Sequence, residues 1–288
     1  MFDFGVMSLR ARLAFPSRMR WSEFVALGVA MGFDRAGPRF DAVRESLVQR
    51  VRPAIDRPGV ASVVEEYVVF RIGRIDNGRG EAVGSAALDD ERIARLLSGE
   101  TRPLSAAARK EQLSQRFTYF EDDLAVLTWN AALVVEPNAE DTDVQYVLEF
   151  ANAQLLEIRY HDSNLDVELP RMYDEVAAAR RGFHVLGRRY SRLLSALQTR
   201  MADATEAVER AENSLKVTDD VFLARIYAAA LEIFRERTWR AGIDRKVTIL
   251  RSTYEILNAE SQARRTEILE IVVILLIALE IILALRGS

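Results

Sequence analysis

Ile268-Leu-Glu-Ile-Val-Val-Ile-Leu-Leu-Ile-Ala-Leu-Glu-Ile-Ile-Leu-Ala-Leu285 is the stretch on which the reading of this sequence turns. Only Glu270 and Glu280 interrupt its apolar character. Arg264 and Arg265 precede it and Arg286 follows. As an α-helix rising about 1.5 Å per residue it is roughly 27 Å long, enough to cross a hydrocarbon core. This predicts a transmembrane tail anchor over residues 266–286, with the rest of the chain on one side of a membrane. Two other readings stay open: a buried core helix, and an oligomerisation helix covered by other copies of the chain. The acids speak for these, because a mid-membrane carboxylate costs ~2.5–3.5 kcal/mol on insertion scales. Glu270 lies near one end and reaches an interface. Glu280 lies deeper and has to snorkel, take up a proton or hydrogen-bond across a bundle.

Upstream of the tail the pattern is helical. Val144, Leu148, Ala151, Leu155, Ile158, Asp162, Leu165, Leu169, Met172 and Val176 follow one another at spacings of four and three, a heptad seam along one helix face. Pro170 predicts a kink or break. Asp162 stands where an apolar residue belongs, and a buried carboxylate needs a partner, so either the seam opens there or an arginine meets it; a break at Asp162-Ser-Asn164 is the expectation. The seam resumes at Tyr190, Leu194, Leu197 and Met201. Thr218 or Asp219 then caps a further helix, with Ile243, Val247, Leu250, Tyr254 and Leu257 in its seam and Gly242 as a bend. Two long helices and a short turn make an antiparallel hairpin within residues 141–262. Its apolar surface predicts self-association, with Leu197 and Leu250 as the positions to test.

The first half is mixed. Residues 1–60 form a basic N-terminal segment with a helix from Phe40 to Val51, closed by Pro53 and Pro58. Phe24 to Phe33 reads as a short buried helix rather than a cleaved targeting peptide. Residues 61–140 form a small α+β domain. Ser62–Ile75 is β-branched and aromatic enough for a strand, and Asp89 caps a helix that stops at Gly99. Arg116–Phe120 and Leu124–Val135 read as two strands joined through Glu121-Asp-Asp123. The fold class is therefore α+β: a small N-terminal α/β domain, a long antiparallel helical hairpin and a C-terminal hydrophobic helix.

Composition narrows the chemistry. The chain has 288 residues, a net charge of −4 and no cysteine, which excludes disulfides, thiolate metal sites and a cysteine nucleophile. The arginines of residues 1–60 contrast with an acidic middle, which argues against a nucleic-acid groove there. Glu157 and His161, four residues apart on the Glu149–Asp162 polar helix face, have a metal-ligand spacing, but no second histidine accompanies them. An intrahelical pair explains them as well. Gly78-Arg-Gly80-Glu-Ala-Val-Gly84 is not a dinucleotide fingerprint, and neither a phosphate-binding loop nor a serine nucleophile elbow is present. Trp21, Trp129 and Trp239 are too dispersed for a stacking platform. These residues name no catalytic group and no cofactor.

The order of elements, with Leu148–Val176 and Leu269–Leu285, resembles the "required for meiotic nuclear division" family, also grouped as a domain of unknown function. The resemblance spans residues 60–285 and implies a membrane-anchored scaffold without established catalytic residues. Three functional readings result. The leading one is a membrane-anchored scaffold or assembly protein acting by self-association and binding of an unidentified protein partner. Its bulk would lie in a reducing compartment, at a bacterial inner membrane facing the cytoplasm or at the mitochondrial inner membrane. The second is a membrane-tethered enzyme or ligand-binding protein using the Glu149–Asp162 face. The third is a soluble homo-oligomer whose hydrophobic tail is buried between protomers.

Overall fold

A computed structural model describes residues 2, 4–16, 18–32, 37–54, 63–137, 143–181, 195–196, 198–199, 201–202, 205–206 and 218–286. The chain divides into two compact units. The first joins Met1–Tyr160 to Arg210–Trp239, and the second joins His161–Glu209 to Arg240–Ser288.

The first unit is built on a four-stranded mixed sheet. Helices α1 (Trp21–Met31) and α2 (Gly37–Val51) precede strand β1 (Val68–Ile72). Helices α3 (Asp90–Ser98) and α4 (Ala106–Gln112) lead to β2 (Gln115–Phe117), β3 (Leu124–Leu127) and β4 (Ala131–Val135). The spatial order is β1-β4-β3-β2, with β1 parallel to β4 and the other neighbours antiparallel. Both faces of β3 and β4 are covered, so these strands read as continuous apolar runs. The two-residue period sorts their side chains. Val126, Leu133 and Val135 join Phe70, Val25 of α1 and Ile93 of α3 in one cluster. Ala125, Leu127, Ala132 and Val134 point the other way, into a cluster completed by two later helices, α5 (Asp143–Arg181) and α6 (Val221–Ile233). Leu148 and Leu155 of α5 and Ile226 and Tyr227 of α6 are at most 2% exposed there, each worth roughly 1.5–3 kcal/mol of burial.

Local signals account for the element ends. The Asp89 carboxylate accepts the Arg92 amide at 2.9 Å and the Trp21 indole N–H at 3.1 Å, so one side chain caps α3 and ties it to α1. Gly99 ends α3 in the left-handed conformation at φ 68°. The apolar run Leu124–Val135 is two strands, not one. Thr128 Oγ1 lies 2.8 Å from the Ala131 carbonyl and closes a turn through Trp129 and Asn130. Asp220, one residue beyond the expected cap, accepts the amides of Phe222 at 2.7 Å and Leu223 at 3.1 Å and starts α6. Arg235, at φ 52°, separates α6 from the last helix, α7 (Glu236–Arg286).

The second unit contains the remainder of α5 and α7. Neither expected break occurs: α5 runs through Asp162-Ser-Asn164 and through Pro170 without interruption. Proline costs a helix one hydrogen bond and a steric clash. Leu165, Met172 and Val176, on either side of it, are buried, and their burial favours the continuous helix. Ile243, Val247, Leu250 and Leu257 of α7 are buried in the same way, with Leu250 at 0% exposure inside the single chain. Leu197 and most of the first arm of the expected hairpin lie outside the described residues. From that region Gln198 Nε2 donates to the Tyr254 hydroxyl at 2.8 Å.

The tail expectation is corrected. Among the described residues no helix is long and apolar enough to cross a membrane. This overturns the transmembrane tail anchor, the membrane-anchored scaffold and the inner-membrane location. The apolar stretch is the end of a 51-residue helix that begins at Glu236. That helix carries charged side chains for most of its length, and Glu270 and Glu280 extend the acidic character into the apolar part.

Candidate functional site

The polar face of α5 is where the sequence concentrates its candidate chemistry, and the helix distributes it over both units. In the first unit, Glu149 meets Arg10 Nη2 at 2.6 Å. The Tyr227 hydroxyl of α6 donates to Gln154 Oε1, and both residues are 2% exposed. Glu157 is 4% exposed. Arg159 pairs with Glu65 and also lies over the Trp239 ring, 5.3 Å from its centroid, so one guanidinium uses its edge for a carboxylate and its face for an indole. His161 falls in the second unit and is half-buried. Among the described residues no three His, Asp or Glu side chains gather to hold a metal ion.

The sharpest charged cluster lies in the second unit. Lys246 Nζ of α7 stands 2.7 Å from Asp162 Oδ1, 3.1 Å from the Asp162 carbonyl and 2.6 Å from Asp166 Oδ1. The lysine and Asp162 side chains are 18% and 14% exposed, whereas Asp166 is open to water. Burial pulls the Lys246 ammonium down. The hydrogen bonds and charges of Asp162 and Asp166 outweigh it and hold the group above the usual lysine value. Gly242, one turn earlier, makes room: a Cβ there would stand 3.3 Å from Asp162 Oδ1. The glycine expected to bend the helix instead lets a carboxylate approach it. A lysine held protonated this way is a counter-ion, not a nucleophile. Glu149 and Arg159 thus serve as ion-pair anchors within the first unit, and Asp162 within the second.

Sequence reasoning raised the question of a partner for Asp162 but did not identify Lys246, which is 84 residues away. It also missed Tyr227 and the Arg159–Trp239 contact, which depend on tertiary placement. A signal for Lys246 was present: it sits one residue before Val247 in the same seam, beside Gly242.

The first unit also carries a surface depression of about 330 Å³ bounded by Asp90, Arg109, Lys110 and Arg116. Arg116 pairs there with Asp90 at 2.7 Å and Arg109 with Glu91 at 3.8 Å, so acids offset most of its positive charge.

The tail presents a long exposed apolar surface. Leu269, Ile274 and Leu275 are 63–64% exposed, and Ile271, Leu276, Leu279 and Ile282 are exposed on other sides of the same helix. Glu270 is exposed among them. The Glu280 side chain lies outside what is described.

A family described as "Uncharacterized protein MJ0711, N-terminal domain" matches residues 1–142. The uncharacterized protein MJ0711 of Methanocaldococcus jannaschii is 23% identical over 193 residues, covering 67% of this chain and 58% of its own length. This chain therefore spans less than two thirds of that relative. No solved structure matches. The N-terminal match ends just before α5.

Proposed function

We propose that this chain is an assembly protein, a homo-oligomer whose hydrophobic tail is buried between protomers. The observation that carries this is the exposed apolar run Leu269–Ile282 at the end of α7. Single chains in water rarely present a contiguous apolar patch of more than a few hundred Å². A helix that is apolar on most sides is stable when something surrounds it. Two features support self-association over catalysis. The polar face of α5 is committed to internal ion pairs, and Lys246 is held in its charged form between two aspartates.

The test is the mass of the full chain in detergent-free buffer over a range of concentrations, beside a Leu275→Asp variant. The expected result is an oligomer of wild type that dissociates in the variant while the far-ultraviolet helical signal persists. A monomeric wild type would refute the reading, as would recovery of wild type with lipid vesicles as single chains.

A further inference from the structure

The loop of residues 118–123, between β2 and β3, holds two aromatic side chains out to water. Tyr119 is 67% exposed and Phe120 65%. Their rings meet edge to face, 4.8 Å between centroids, and Tyr119 also lies 5.4 Å from the Phe222 ring of α6. The loop backbone is fixed from two directions. Asp123 accepts the Tyr119 amide at 2.8 Å and the Phe120 amide at 3.0 Å, and the Ser85 amide donates to the Glu121 carbonyl at 3.4 Å. Gly84 permits that approach, because a Cβ there would stand 2.8 Å from the same oxygen. The rings are thus presented on backbone that is already ordered, which lowers the entropy lost on docking.

The charge around this tip is one-sided. Glu121, Asp122 and Asp219 are exposed and carry no ion pair among the described residues. The nearby arginines are engaged: Arg116 pairs with Asp90, and Arg225 lies over the Phe117 ring, 5.8 Å from its centroid. Elsewhere in the same unit these ingredients occur as complete sets. Arg159 meets Glu65 and covers Trp239, and Arg235 lies over Trp129 at 5.9 Å. At the tip the rings and the carboxylates are present, and among the described residues no guanidinium lies over Tyr119 or Phe120. A guanidinium satisfies both at once, its face on a ring and its edge on a carboxylate. Strand β2, which leads into the tip, is the last strand of the sheet, so an extended chain lying there also finds backbone partners.

We propose that this tip docks an extended, arginine-bearing segment of a partner protein, with guanidinium groups stacked on Tyr119 and Phe120 and paired with Glu121 and Asp122. The carboxylates repel nucleic acids and anionic lipid. The tip belongs to the first unit and the apolar tail to the second, so this docking does not rest on the assembly reading. The probe is a short fluorescein-labelled peptide alternating glycine and arginine, titrated into the full chain and followed by fluorescence anisotropy. Wild type is expected to bind it saturably, more tightly than the lysine counterpart, and less tightly as salt is added. Phe120→Ser and Glu121→Lys are each expected to weaken binding about tenfold. Glu45→Lys, which reverses an exposed acid on α2, is expected to leave it unchanged. Thermal melting of all three should match wild type, because each changed side chain is exposed. Three results overturn the proposal: no saturable binding by wild type, equal weakening by Glu45→Lys and Phe120→Ser, or equally tight binding of a labelled single-stranded oligonucleotide. A fall in native mass in Phe120→Ser assigns the tip to a second copy of the chain and likewise overturns it.

Discussion

Replacing Lys246 by methionine keeps the aliphatic stem and removes one charge from between two carboxylates. Asp166 is 63% exposed, so its share of the cluster is that of a surface pair, about 0–1 kcal/mol. Asp162 is 14% exposed and bonded at 2.7 Å, and a hydrogen bond to a charged group contributes about 1.5–3 kcal/mol. The variant should therefore lose about 2–3 kcal/mol, part of it the cost of leaving the Asp162 carboxylate without its counter-charge. Adding Asp162→Asn should recover part of that loss, with a coupling of about 1.5 kcal/mol in the double-mutant cycle. The assay is urea unfolding at neutral pH, followed by far-ultraviolet circular dichroism and by tryptophan emission. Trp21, Trp129 and Trp239 all belong to the first unit, so emission reports that unit while the helical signal reports both. The helical transition should move to lower urea and the emission midpoint should move less. The pH dependence follows from the raised Lys246 value. The stabilisation is complete below the ordinary lysine value, about 10.4, and is lost as pH rises through the higher folded one. Wild type should lose its advantage over Lys246→Met only in that alkaline range. A coupling below about 0.5 kcal/mol, or an advantage that disappears near neutrality, would refute the reasoning.

Four further outcomes are expected. Leu250→Ala empties a fully buried site and should cost about 2–5 kcal/mol in the helical transition, measured by the same titration. Tyr227→Phe removes the buried bond to Gln154 and should cost about 1–2 kcal/mol, read from the emission midpoint of the first unit. At Asp89 burial raises the carboxyl, but the Arg92 amide, the Trp21 indole and the Arg92 charge outweigh it and hold it below the usual range. Its contribution is present above about pH 3.9 and lost as pH falls through the lower folded value, so Asp89→Ala, which removes the cap, should weaken the first unit near neutrality by about 1 kcal/mol and flatten its acid unfolding curve. Gly28→Ala presses a methyl group against Leu96 Cδ1 and to within 3.0 Å of Phe70 Cε1, and thermal melting should reveal a loss of about 1–3 kcal/mol.

The parts of this fold that were legible in the sequence have local causes. The α3 helix was readable at both ends because Asp89 and Gly99 act on their own backbone neighbourhood. The apolar sides of α5 and α7 were readable because helical periodicity is a property of contiguous residues. What escaped depends on distant partners. Asp162 looked like a fault in a seam until Lys246 came beside it. Pro170 looked like a terminus until the burial of Leu165 and Met172 offset its cost. The β3–β4 turn carries no glycine and is closed by the Thr128 hydroxyl, so its apolar flanks merged into one apparent strand. The tail was legible as apolar and not as to what covers it, because composition is blind to the identity of a neighbour.

The placement of α6 sets an order on biosynthesis. The sheet is finished when Val135 leaves the ribosome, yet α6, which helps cover one of its faces, ends only at Ile233. At about 5–20 residues per second, translation of the intervening stretch takes roughly 5–20 s. Over that interval the side of the strands bearing Ala125, Leu127, Ala132 and Val134 has at most α5 to shelter it. A nascent chain stalled between residues 160 and 220 should therefore recruit holdase chaperones and resist protease poorly. Extension past Phe234 should abolish both properties in a single step.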